Sequence, residues 1–589
     1  MSQAATTRTP EIIAPPRRHR ADQPTESSPF QGVRLTTTLV VAIITVFTLL
    51  GAGRLDLGPL EARLGMASGE RIGPFGLVYG AWEPGLLPAR LVPSQLWAWF
   101  YGGVTATAAS VRWPEAIAAA LIALVASRRV GAVLGNRAAI LAALTTAGTV
   151  AMIDRSAAGL GLLDGAIAWL VYGVTGSYAL MIKPIVPDLN LIAGLGAVLA
   201  LDRLRSRGPD LAVGLLAGVA SLAGGWPMLA VVAVPSFVLG SKEGAKPGRA
   251  VVGALAIGLA WSVWAWSTAR FEAWAAAVAL PLVKGPTWTL ALWVLAYALP
   301  WSTLAVLPAF RSIRDGWSEE GKTFVLDWLK IVGALALAGT LIPGLGNAAR
   351  VPILLGLAMA SAAGLERVIG DWSSLSKGAK RTFWTATIAG TVGWAALASP
   401  IFGYVAAAIG AYRSLAIVLI GVALIAPAVA LAGQTKARPI LGVLAMVLVC
   451  LGLKLAHWGV IVPEWNYRAS QGPWGRAIGQ WMPRTATLYF INATTFNPGI
   501  PDRDRWPADL AFHTGRKVRQ IPAPEALDVE PRGRSPHFVL LHPSEFERWP
   551  KTAPPIQLVR TLQDRTGEPR VLARTEGPMY PDRRKELGE

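Results

Sequence analysis

Across 589 residues there is a single cysteine, Cys450. No intramolecular disulfide can form within the chain, and a thiolate metal site is excluded. The five histidines (His19, His457, His513, His537 and His542) are scattered or C-terminal, which argues against a histidine metal cluster inside a membrane. Charge is scarce too, at 15% of residues against roughly 25% in a soluble domain. That is too little to cover a water-facing surface, which excludes an ordinary soluble enzyme and a disordered scaffold. Apolar residues are abundant instead, at 53%, and tryptophans number 24; mean hydropathy is +0.44. The balance of 55 Lys+Arg against 36 Asp+Glu leaves a formal charge of +19. Such a charge suits nucleic acid or a membrane face. The hydropathy selects the membrane, because the basic residues are spread over many links and form no nucleic-acid motif.

Residues 1–34, rich in Pro, Arg, Ser and Thr, read as a disordered basic tail on the cytoplasmic side. Leu35 to Ala52 is an apolar stretch long enough for an uncleaved first span. Beyond it, apolar runs alternate with two kinds of link. Lys/Arg-rich links stand at 128–137, 203–207, 242–249, 311–322, 367–381 and 436–438. The others are poor in charge or carry acids near Trp. Basic links stay in the cytoplasm, which places the N-terminus inside. Counting 165–182 as a crossing would put later basic links outside, so it reads as a re-entrant or surface segment buried in protein. About 13 spans remain: 35–52, 114–127, 138–153, 189–202, 209–223, 227–240, 250–267, 287–306, 323–342, 350–366, 382–398, 414–432 and 439–458. The domain predicted for 35–462 is thus an all-α polytopic membrane bundle. Most tryptophans fall near span ends, where an indole suits the headgroup region.

From 463 to 589, charges and prolines return. Thr485 to Ile491 and His537 to Leu541 read as buried strands, with further strands at Ile556 to Leu562 and Arg570 to Arg574. Ser544 reads as the cap of a short helix reaching Trp549. A small α/β extracytoplasmic domain is expected, with no nucleotide-binding glycine loop.

The predicted spans hold few charges, whereas a transporter usually places ionisable groups within them. The acids and bases gather in two outer loops. The first carries Asp56, Glu61, Arg63 and Glu83; the second carries Asp154, Arg155, Asp164, Lys183 and Asp188. Carboxylates beside arginines at a lipid–water boundary suit a lipid-phosphate substrate. A cation neutralises phosphate and an acid takes the proton of an acceptor hydroxyl. The bland alternative is that these charges only solvate loops.

Several short motifs follow in order. Glu61-Ala62-Arg63, Ser68-Gly69-Glu70 and Glu83-Pro84-Gly85-Leu86 come after the first span, and Ser127-Arg128-Arg129 through Asn136-Arg137 precede the third. Leu222-Ala223-Gly224-Gly225-Trp226-Pro227, Ala298-Leu299-Pro300-Trp301 and Phe512-His513-Thr514-Gly515-Arg516-Lys517-Val518 follow. Together they resemble the GT-C superfamily of integral-membrane glycosyltransferases, particularly the bacterial aminoarabinose transferases of lipid A and the protein O-mannosyltransferases. The chain departs from the family at Leu60, where the catalytic Asp would stand, and at Glu83, where a phosphate-binding Lys would stand. The Lys before Gly-Pro is here Gly224 or Gly225.

The resemblance implies inverting transfer of a sugar from a polyprenyl-phosphate donor to a lipid, glycan or protein acceptor on the outer face. Glu61 or Asp56 would be the general base. Arg63, Arg155, Arg350 and Lys284 would hold the donor phosphate. Asp188, or else Asp164, would be the second acidic position, organising these cations or a divalent cation. Asp188 is preferred because it lies directly ahead of a span. The rival readings are a catalytically silent membrane scaffold of the same fold, which Leu60 and Glu83 favour, and a transporter or flippase of lipid-linked substrates. The latter lacks the internal repeat that transporters often show.

Overall fold

In the computed structural model the described residues are 29–50, 108–149, 152–153, 190–239, 245–268, 298–342, 345–468, 470–483, 486–491, 508–521, 523–528, 537–563, 567 and 569–575. Helix α1 (Pro29–Ile44) ends in a π-helical turn, Thr45–Leu49. There follow α2 (Ala108–Leu134), α3 (Asn136–Ala147), α4 (Leu191–Arg207), α5 (Leu211–Gly224), α6 (Pro227–Leu239) and α7 (Pro247–Thr268). The bundle continues with α8 (Glu319–Leu341), α9 (Leu345–Gly370), α10 (Lys377–Ala408), α11 (Arg413–Thr435) and α12 (Pro439–Ala456). A π turn over His457–Ile461 carries α12 on to Arg468. Side-chain caps start several of these helices: Asn190 accepts from Ala193 N at 2.9 Å, and Ser318 accepts from Gly321 N at 3.1 Å.

Six helices among the described residues are long and apolar enough to cross a membrane: Val111–Leu134, Glu319–Leu341, Ala348–Gly370, Lys377–Ala408, Gly410–Thr435 and Pro439–Glu464. Each coincides with an expected span to within a residue or contains it. The described residues of the spans expected at 35–52, 209–223, 227–240 and 250–267 are mostly helical, with shorter apolar stretches. Exposed Ile417, Val418, Leu424 and Ile425 on α11 give that helix an apolar outer side, as lipid contact requires.

The expected span at 287–306 differs in its described part. Residues 298–310 run through turns and 3₁₀ helices over Trp301–Leu304 and Leu307–Ala309. Pro300 and Pro308 have no N–H to give an α-helix. The segment lies against α9, where Ser361 Oγ donates to the Trp301 carbonyl at 2.8 Å and Trp301 is fully buried. Irregular backbone at membrane depth persists because protein surrounds it. Residues 165–182, to which the sequence assigns such a path, lie outside the described residues.

The basic links meet at one end of the bundle. Arg129 Nε lies 2.8 Å from Asp202 Oδ2, and Arg205, stacked 4.5 Å from the Phe324 ring centroid, lies 3.5 Å from Asp202 Oδ1. Arg203 grips Asp210, the cap of α5, at 2.6 Å and holds that carboxyl below its usual range. Arg367 pairs with Asp371, and Ser312 bonds Ser376 at 3.1 Å. Asp202 is 3% exposed, and through it Arg129 ties α2 to α4. Asp202→Ala is therefore expected to lower stability by about 1.5–3 kcal/mol, the range for hydrogen bonds to charged groups. Detergent thermal unfolding checks this, and an unchanged midpoint would show that the tie contributes nothing.

At the opposite end lies a five-stranded sheet of order β2-β1-β3-β5-β4. Its strands are β1 (Thr487–Ile491), β2 (Lys517–Ile521), β3 (Phe538–Leu541), β4 (Ile556–Gln563) and β5 (Pro569–Thr575). Strand β1 runs parallel to β2 and β3; β3 with β5 and β4 with β5 are antiparallel. Strand β2 is absent from the sequence reading, because its Lys and Arg suit an edge rather than a buried strand. The short helices α13 (Gly472–Gln480), α14 (Ala508–His513) and α15 (Pro543–Glu547) accompany the sheet. His542 caps α15, not Ser544: its ring Nδ1 accepts from Ser544 N at 3.3 Å, while Glu545 accepts from His542 N at 2.8 Å. Val111 of α2 shares a buried cluster with Ile478, Met482, Leu488 and Phe490, which seats the sheet on that end of the bundle.

Candidate functional site

The sheet-side end of the bundle is also where the loops carrying the expected site residues take root. The π turn ending α1 leads into residues 51–107. Helix α3 leads through Met152 and Ile153 into residues 154–189, and Asn190 opens α4 after them. Asn190 Nδ2 donates to the Ala223 carbonyl at 2.5 Å, joining the α4 start to the α5 end. Glu115 on α2 accepts from Leu191 N at 2.9 Å, so a carboxylate faces the positive end of the α4 dipole.

Arg350 enters the same end from α9. It is 5% exposed, and the side chain of its neighbour Val351 lies against Gly194 of α4, one turn from Asn190. Arg350 thus stands beside the α4 start, not at a water-facing helix mouth. Asp56, Glu61, Arg63, Arg155, Asp164, Asp188 and Lys284 lie outside the described residues. Among the expected site residues, only Arg350 has a described position. No three His, Cys, Asp or Glu side chains come together to hold a metal among the described residues.

Four ionisable groups that sequence reasoning passed over share this end. Arg112 and Glu115 sit in the first turns of α2. Lys454 and His457 sit three residues apart near the end of α12, with Lys454 4% and His457 1% exposed. Lys454 was legible in principle as a lone cation within the otherwise apolar run 439–456. Its Nζ donates to the Phe47 carbonyl, in the π turn that ends α1, at 3.1 Å. One turn earlier, Cys450 Sγ donates to the Gly148 carbonyl at 3.3 Å. One face of α12 therefore touches the roots of both acid-bearing loops.

Other motif residues are structural. Gly225 adopts φ +75° where α5 ends, a conformation that side chains resist. A side chain at Gly224 would collide with Met228 and Ala193. Neither position accepts a lysine without strain. Arg516 donates to the Gly479 and Met482 carbonyls, closing the C-terminal end of α13.

No protein-family profile matches the chain, and no curated protein does. Among solved structures, the chain is similar to ArnT from Cupriavidus metallidurans bound to undecaprenyl phosphate, with a TM-score of 0.59 and 17% identity over 94% of this chain and 99% of that one. For the apo state of the same protein the TM-score is 0.60 at 15% identity, over 92% of this chain and 98% of that one. The similarity takes in bundle and sheet together. The chain therefore has the fold of ArnT.

Proposed function

We propose that this chain, whose fold is that of ArnT, is an integral-membrane glycosyltransferase using a polyprenyl-phosphate-linked sugar. The observation that carries the reading is the extent of the similarity: 94% of this chain and 99% of a structure that holds undecaprenyl phosphate. The convergence of the acid-bearing loop roots and the buried Arg350 at the sheet-side end supports it. That end faces away from the cytoplasm in this reading, with the basic links inside.

The proposed chemistry is inverting transfer. The acceptor oxygen forms a bond to the anomeric carbon as the bond from that carbon to phosphate oxygen breaks, releasing polyprenyl phosphate. Glu61 or Asp56 takes the hydroxyl proton. Arg63, Arg155, Arg350 and Lys284 neutralise charge growing on the leaving phosphate, where fixed cations act most strongly in a water-poor site. Asp188, or else Asp164, orients these cations or a divalent cation.

The test is transfer in membranes from labelled polyprenyl-phosphate sugars. Label is expected to leave the donor for an acceptor with release of polyprenyl phosphate, above membranes lacking the protein. No release across a panel of hexosyl and pentosyl donors would favour the silent-scaffold reading, which Leu60 and Glu83 support. Movement of intact donor across proteoliposomes without cleavage would favour the flippase.

A further inference from the structure

Lys454 is a buried ammonium in a membrane-spanning helix with one hydrogen bond among the described residues, to a backbone carbonyl. No carboxylate pairs with it there. An ammonium has three donors, so two are unspent. Burying a charge this way is costly unless an anion compensates it. A structural tie alone explains the bond to Phe47 but not the use of an ionisable side chain there, since a neutral donor would make the same bond. Intramembrane ionisable groups mark binding sites for this reason.

The surroundings indicate what the anion is. Lys454 touches the root of the first loop at Phe47, and Cys450 on the same helix face touches the root of the second at Gly148. The π turn beginning at His457, three residues beyond, widens α12 on that stretch; such turns recur at functional sites. The cation therefore lies between the roots of both loops. It sits on a rigid helix rather than on a loop.

We propose that Lys454 is the fixed cation that receives the phosphate headgroup of a polyprenyl lipid, an assignment that rests on the lipid-linked donor reading above. One N–H stays on the Phe47 carbonyl, and the other two point to non-bridging phosphate oxygens. Lys454 thereby positions the donor, while the acids of the loops act on the acceptor.

The test uses the full chain in lipid nanodiscs, with undecaprenyl phosphate and the uncharged alcohol undecaprenol as probes. Lys454→Gln keeps a donor for Phe47 and removes the charge. It is expected to weaken undecaprenyl phosphate binding by about 10-fold or more, the size of a charged hydrogen bond, and to leave undecaprenol binding unchanged. Lys454→Met, of similar shape, gives the same comparison if the Gln variant does not fold. Wild-type affinity for the phosphate lipid in the variant overturns the assignment and leaves the donor reading standing. An equal loss for both lipids also overturns it, because that is the signature of a structural tie. If the wild-type protein does not prefer undecaprenyl phosphate to undecaprenol, the donor reading falls and the assignment falls with it.

Discussion

Glu61→Gln or Asp56→Asn is expected to lower sugar transfer by about 10²–10⁴-fold, the contribution of a positioned general base. Each amide keeps the size of its acid and much of its hydrogen bonding but cannot take a proton from an acceptor hydroxyl. Only the variant at the true base should lose this much; the other should stay within about tenfold. Leu60, where the resembling family has its Asp, leaves these two as the first-loop acids nearest that position. Donor binding should survive in both variants, so the loss should appear in kcat rather than KM, since the missing interaction belongs to the transition state. Membranes carrying each variant, assayed with labelled polyprenyl-phosphate sugar, give the answer. Unchanged transfer in both would remove the base assignment.

Gly214→Leu is expected to have the largest effect on folding. A Cβ at Gly214 would overlap the Ala250 carbonyl oxygen, one at Gly218 would meet Ile257, and one at Gly253 would meet the Leu211 carbonyl oxygen. Three glycines thus let the backbones of α5 and α7 come together, with Gly214 and Gly218 four residues apart on one face. In lipid no hydrophobic force presses helices together, so close packing of small residues has to do it. Overpacking a core costs about 1–3 kcal/mol. Here the obstacle is a backbone carbonyl that cannot rotate away, so the cost should reach the top of that range or exceed it. Gly214→Ala should lose less. Gly421→Ala, where nothing lies within 4 Å, should be neutral. Equal unfolding midpoints for Gly214→Leu and Gly421→Ala would contradict the packing argument.

Much of the bundle was legible because bilayer thickness sets a length and basic links set a side. Six long helices coincide with spans read from hydropathy, and the described basic links meet at one end. The tail of the span expected at 287–306 was misread because hydropathy cannot tell a lipid-facing helix from an apolar segment buried by α9. Strand β2 and the His542 cap went unread because an edge strand and a ring-nitrogen cap carry little local signal. The site was less legible. Arg350 was picked out as a phosphate-holding cation at the first residue of an expected span, whereas its burial beside the α4 start depends on Val351 meeting Gly194, a contact between residues over a hundred positions apart. The losses of lysine at Gly224 and Gly225 look arbitrary in sequence. Packing explains them, since one position has no volume and the other a backbone only glycine adopts easily.

The amino-acid sequence by itself determined the solvent. With 15% charged residues and long apolar runs, the backbone must close its hydrogen bonds within helices, and the spacing of basic links sorts their ends. Only the tertiary structure decided which buried charges share a place. Asp202 is a clasp because α2 delivers Arg129 to it, while Lys454 meets, among the described residues, a carbonyl that α1 brings and no carboxylate. Hydropathy is local and additive, whereas the cost of a buried charge depends on what distant segments bring beside it.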